Sequence, residues 1–157
     1  MDITNFVMLD LNRPLHVYDA DKIDGKIIVR ESKKGESFDA LDEKSYDLKE
    51  GMCAIADKKK VLGLGGIMGG ETSGCNENTK NILLESALFN PINIAKSGRS
   101  LSILSDARYR FERGVDPKSV LVGIDRATEL ICEICGGEFS EVVIAGKIPE
   151  DNKSVNL

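Results

Sequence analysis

The spacing of apolar positions divides the chain into a short leading helix, a β-rich middle and a largely helical second half. Asp2–Asn12 carries Phe6, Val7 and Leu11 at helical spacing, which predicts a helix capped by Thr4 or Asn5 and stopped by Pro14. The segment PLHVYDADKIDG contains the only histidine, His16, which is expected to follow Pro14 in a turn. Lys26–Glu31 is rich in β-branched residues and predicts a strand; the polar stretch to Gly51 predicts short strands and turns. Met52–Ala56 and Val61–Leu64 predict a hairpin joined by Asp57–Lys60.

Beyond a glycine-dense loop, Asn81–Ser86 predicts another strand. Asn90-Pro91 opens a helix running to Gly98, since proline suits a first helical turn. Ser105–Arg113 reads as a charged helix with Ser105 as cap and Gly114 as stop. A further helix is predicted from Asp116 as cap and Pro117 as first residue. Val120, Ile124, Ala127, Ile131 and Ile134 form its apolar stripe, and Gly136-Gly137 ends it. Glu141–Ala145 predicts a last strand. Strands and helices mix without regular βαβ alternation, so the expected fold class is α+β, with mixed or antiparallel sheets and packed helices.

Composition narrows this picture. A chain of 157 residues has room for one domain with its own core, and 41% hydrophobic with 30% charged residues describes an ordinary globular protein. A net charge of −5 speaks against nucleic-acid binding by the field of the whole chain. Scarce aromatics and no tryptophan speak against a base-stacking single-strand binder. No apolar run approaches the ~20 residues of a membrane span and the N-terminus lacks signal-peptide character, so a cytoplasmic protein without a membrane partner is expected. Both ends read as cut, with a polar tail that turns apolar again after Ser154, as if a further strand were starting.

Chemistry concentrates in Val61–Ala87. Six of the 15 glycines fall between Gly63 and Gly74, a density that marks a tight turn or a cradle. A phosphate cradle fails on spacing: GxGxxG would need glycine at Met68, and the P-loop spacing from Gly65 to Gly70 is followed by Glu71 where lysine is required. The exit strand carries one acid, Glu85, among Ile82, Leu83 and Leu84, and such an acid is costly unless something meets it. Cys132 and Cys135 form a CxxC near the end of a periodic helix with no second pair. They read as small buried apolar residues, and no metal site is expected. His16 lacks a second histidine for an imidazole-built metal site, and no GxSxG elbow is present. Lys96, Arg99, Arg108, Arg110 and Arg113 make one stretch locally basic. On charge alone this is either a solvated face with an Arg108–Glu112 pair or a rim for RNA phosphates.

Four segments, DITNFVMLDLNRPLHVYDADKIDG, LGLGGIMGGETSG, NILLESALFNP and SDARYRFERGVDP, in this order, together resemble the B3/B4 region of the bacterial phenylalanine–tRNA ligase β subunit. The resemblance runs from Asp2 to about Gly146. It implies a B3/B4 editing domain over 1–146, truncated at its start, with 147–157 as linker and the beginning of the next domain, B5. The implied activity is hydrolysis of tyrosine wrongly attached to tRNA(Phe). The whole enzyme would charge tRNA(Phe) with phenylalanine as a heterotetramer with an α subunit. ATP and Mg2+ would sit on that subunit, with no cofactor in this segment. A pocket carboxylate suits such editing because phenylalanine would leave it unpaired, whereas tyrosine donates a hydrogen bond to it.

Residue by residue, the resemblance assigns His16 and Ser105 to catalysis. It assigns Glu85, Gly66, Gly69, Ala107, Thr4 and Asn5 to binding the tyrosyl side chain and ester; Lys96, Arg99 and Arg108, from the locally basic stretch, are the candidate contacts to the tRNA. Ser105 stands where the family usually has threonine, and Arg108 where a small residue is frequent. The alternative is a non-catalytic tRNA-binding or subunit-packing module with a vestigial pocket.

Overall fold

The computed structural model describes residues 2–147, and the expected start of a further domain beyond them lies outside the described residues. In chain order the elements are α1 (Asp2–Leu11), β1 (Leu15–Asp19), β2 (Ile28–Glu31), β3 (Ser37–Asp39), β4 (Ser45–Asp47), β5 (Cys53–Ala56), β6 (Val61–Leu64) and β7 (Met68–Gly69). They are followed by β8 (Ile82–Ser86), α2 (Pro91–Leu101), α3 (Asp106–Phe111) and α4 (Ser119–Cys135). All pairings among the described strands are antiparallel. A four-stranded sheet runs β2-β5-β6-β7, β1 pairs with β8 as a ribbon, and β3–β4 forms a hairpin that touches the larger sheet through an Ala40–Gly70 bridge. The α+β expectation holds.

The central strands β5 and β6 are covered on both sides, which explains why β6 is buried along its length. Ala54 joins a large core with Phe38, Leu64, Ile67, Ile94 and Phe111, under α2 and α3. Its neighbour Ile55 points the other way, to a smaller cluster with Tyr18 and Leu62 beneath the β1–β8 ribbon. Phe89 packs against both clusters.

Several local expectations hold for the stated reasons. The Asp57 carboxylate accepts from the N–H groups of Lys59 and Lys60 and closes the β5–β6 turn. Asn90 caps α2 with Pro91 in its first turn, and Ser105 caps α3 by accepting from the Arg108 N–H.

Others are corrected. Thr4 and Asn5 lie inside α1, which begins at Asp2, so neither is its cap. His16 is not in a turn: Leu15–Asp19 is a strand, and Ala20–Lys22 forms a single 3-10 turn after it, capped by Asp19. Pairing with β8 decides this, because both partner strands then satisfy their backbone groups. Helix α2 runs past Gly98 to Leu101, and Gly98 lies where the Arg108 side chain crosses: a Cβ there would lie 2.3 Å from Arg108 Nε. The last helix starts at Ser119, not Pro117, because the Asp116 side chain accepts from the Lys118 N–H and holds a turn ahead of it. Its stripe is only partly sealed. Ala127 is fully buried, whereas Ile134 and Cys135 are exposed and Cys132 is intermediate, so the CxxC is not a buried pair. Glu141–Ala145 forms no strand and its side chains are exposed, since no partner strand lies beside it among the described residues.

Arg13, fully buried, ties the helical layer to the ribbon. Its guanidinium donates to Ser119 Oγ at 2.7 Å, to the Ala87 carbonyl at 2.9 Å and to the Asp116 carbonyl. It thereby joins the end of α1, the exit of β8 and the start of α4. Arg13→Ala is expected to lower stability by about 3 kcal/mol, measured by urea unfolding, because two backbone carbonyls and the Ser119 hydroxyl lose their donor.

Candidate functional site

The pocket forms where the ribbon faces the glycine loop. In the β1–β8 register His16 stands opposite Glu85, and the pleat puts Tyr18 on the same face as His16. The β6–β7 connection supplies the facing wall through Gly65 and Gly66 and β7 through Gly69, with Phe89, Ala107 and Phe111 also lining the pocket. The cavity volume is about 80 Å3. One water needs roughly 10–15 Å3 of such space, so the pocket is scaled for a side chain rather than a single water.

Two glycines are required by what surrounds them. At Gly69 a Cβ would lie 2.3 Å from His16 Cε1, so its absence makes room for the imidazole. Gly66 turns the loop with φ of +68°, and a Cβ there would meet the Phe89 ring at 2.7 Å.

The polar groups at the centre form one short chain. The Tyr18 hydroxyl donates to Glu85 Oε2 at 2.6 Å. The rings of His16 and Tyr18 meet edge-on, with centroids 4.4 Å apart at 81°. His16 Nε2 is buried and has no hydrogen-bond partner among the described residues. Burial lowers the His16 pKa to about 4, so the imidazole is neutral near pH 7 and its free ring nitrogen is available to a water or ligand. Burial raises the Glu85 pKa above the ordinary carboxylate value, and the Tyr18 hydrogen bond opposes that rise by stabilising the charged form. Tyr18 itself is pushed up by burial and by the adjacent carboxylate. Behind them Cys53, on β5, is raised to about 11 by burial first and by Glu85 second, which keeps it a thiol. No lysine or arginine lines the pocket among the described residues.

Of the residues assigned from the sequence, His16, Glu85, Gly66, Gly69 and Ala107 converge on this pocket. Ser105 does not. Its hydroxyl donates to the Ile67 carbonyl at 2.7 Å while accepting from the Arg108 N–H, so it anchors the glycine loop to α3. Thr4 and Asn5 lie on α1, which contributes none of the described lining residues, and Asn5 is exposed. Lys96 and Arg99 are exposed on α2. Arg108 is instead 7% exposed, donating to the Ile103 carbonyl at 2.6 Å and to Glu112 at 3.0 Å. It packs helix against helix and is withdrawn from the expected basic rim.

Sequence reasoning missed Tyr18 and Phe89. For Tyr18 a signal existed: had LHVYD been read as a strand, its alternation would have put His16 and Tyr18 on one face. Phe89 carries no such signal, because its place follows from the packing of two clusters that meet only in the fold.

Residues 1–136 match the family model described as the B3/4 domain, and the chain belongs to that family. It is 56% identical over 158 residues to the phenylalanine–tRNA ligase β subunit of Rhodospirillum rubrum, and 53% identical over 157 residues to that of Bradyrhizobium diazoefficiens. Each match takes in 100% of this chain and 20% of the relative, so the chain spans about one fifth of the length of the curated relatives it matches. Among solved structures it is similar to an N-terminal fragment of the phenylalanyl-tRNA synthetase β subunit from Pyrococcus horikoshii. That likeness has a TM-score of 0.45 and 20% identity over 52% of this chain and 31% of the other.

Two outcomes are expected from this geometry. NMR titration of the His16 ring should give a midpoint near 4 rather than 6.5. Because the folded pKa is lowered, His16 stabilises the fold fully above about pH 6.5, and that contribution is lost as pH falls from 6.5 towards 4. His16→Gln should flatten this part of the stability–pH profile. Gly69→Ala should displace the imidazole and cost about 1–3 kcal/mol in thermal or urea unfolding.

Proposed function

We propose that this pocket is an editing site that hydrolyses tyrosine wrongly esterified to tRNA(Phe). The observation that carries the reading is a carboxyl, Glu85, set in a side-chain-sized pocket beside a neutral histidine whose Nε2 has no hydrogen-bond partner among the described residues. A tyrosyl side chain entering the pocket donates its hydroxyl to Glu85, while phenylalanine leaves that acid without a ligand partner.

In this reading His16 Nε2 accepts a hydrogen bond from the attacking water and aims it at the ester carbonyl; a proton taken there would convert the ring to imidazolium. The N–H groups of Gly65, Ile67 and Gly70 are engaged within the fold, so the Gly66 N–H is the loop donor we assign to the developing oxyanion. Ser105 acts at a distance by anchoring Ile67, and is a positioning residue rather than a catalytic one. Lys96 and Arg99 are the proposed contacts to the tRNA acceptor end.

The likeness to β subunits of phenylalanine–tRNA ligase supports a wider proposal. The module, over residues 1–146, would serve an enzyme that charges tRNA(Phe) with phenylalanine in the cytoplasm. An α subunit would carry the ATP and Mg2+ chemistry. One observation favours the non-catalytic alternative: the Tyr18 hydroxyl already meets Glu85, so the acid has a partner without any ligand.

Deacylation of Tyr-tRNA(Phe) by the full-length protein with its partner subunit separates the two readings. His16→Ala should slow deacylation by about 100-fold, the scale of one positioned acid–base group. Glu85→Ala should reduce the preference for tyrosyl over phenylalanyl ester by about tenfold, the worth of one hydrogen bond. Rates unchanged in both variants would leave the vestigial pocket as the correct reading.

A further inference from the structure

Resting on the editing reading, we propose that Tyr18 is a specificity-positioning residue that holds the Glu85 carboxylate by Oε2 and thereby presents Oε1 to the hydroxyl of the bound ligand. The geometry is direct. Tyr18 and Glu85 sit on partner strands of the ribbon, and the 2.6 Å hydrogen bond fixes one carboxylate oxygen. A carboxylate accepts at both oxygens, so a ligand phenol can bond to Oε1 without breaking the Tyr18 bond. Tyr18 is 2% exposed and packs with Ile55 and Leu62, while its ring meets His16 edge-on. A donor held this firmly sets the direction in which the acid faces.

The same bond governs the charge state of the acid. The titratable groups facing Glu85 are His16 and Tyr18 from β1 and Cys53 from β5. His16 is neutral near pH 7 and Cys53 is a thiol, so neither offers a positive charge to keep Glu85 ionised. Among the described residues, Tyr18 is the one group that lowers the Glu85 pKa against burial. Its hydrogen bond favours the ionised, acceptor-only form of Glu85 that selects a hydroxyl. Without it, the acid protonates more readily and can donate as well as accept, which weakens selection.

Calorimetry of L-tyrosine and L-phenylalanine binding to the full-length protein tests this with Tyr18→Phe, a change of one oxygen atom. The unsubstituted protein should prefer L-tyrosine. The variant should lose about tenfold of that preference, should hold its phenylalanine affinity within about twofold, and should move the midpoint of the tyrosine-binding pH profile upward. In a Glu85→Gln background, Tyr18→Phe should have no further effect on preference.

Retained preference in Tyr18→Phe, or equal loss of both ligands, overturns the proposal, the second because Tyr18 would then be merely structural. If the unsubstituted protein shows no preference, the editing reading fails and this inference with it. A readout without any variant is the Glu85 carboxyl carbon resonance. L-tyrosine should shift it while the Tyr18 hydroxyl proton stays hydrogen-bonded, and release of that proton on binding would also overturn the positioning role.

Discussion

The pairing of β1 with β8 is the constraint on which the rest of the site depends. It joins segments about 70 residues apart and sets His16 directly across from Glu85. A slip of one residue would turn His16, Tyr18 and Glu85 to the opposite face, because side chains alternate along a strand. The register is secured at both ends. Asp19, buried at one end, accepts from Thr79 Oγ1, and at the other the Arg13 guanidinium donates to the Ala87 carbonyl. The pocket therefore inherits its geometry from the ribbon rather than from the glycine loop.

The loop has a complementary role. Its glycines remove the atoms that would collide with His16 and Phe89, and Ser105 pins Ile67 so that the loop keeps its distance from the ribbon. The result is a small apolar pocket with one acid and one neutral imidazole at its base. Burial pushes both groups towards their uncharged forms, and the Tyr18 hydrogen bond works in the other direction for Glu85. A site without lysine or arginine among its described lining residues suits recognition of a neutral ring with one hydroxyl better than recognition of a phosphate.

Much of this was legible in the chain. The β5–β6 hairpin, the caps at Asn90 and Ser105 and the acid in the β8 strand carry local signals, so their place follows from neighbours within a few residues. Arg108 shows where such signals end. Its i,i+4 relation to Glu112 is present as the sequence suggests, yet the pair is mostly buried because Gly98 on another helix leaves room for the side chain. His16 is the same lesson reversed: a segment that resembles a turn becomes a strand once β8 offers its edge.

What the sequence determined by itself is therefore the inventory: the elements with strong caps and periodicity, the α+β class, the family, and the histidine, acid and glycines of the pocket. What only the tertiary structure decided is which of these meet. Tyr18 on Glu85, Phe89 against Gly66 and Arg13 across three elements are contacts between residues far apart in the chain. No local pattern encodes them, because each arises from strand register and core packing, which are settled only when distant segments bury the same surface.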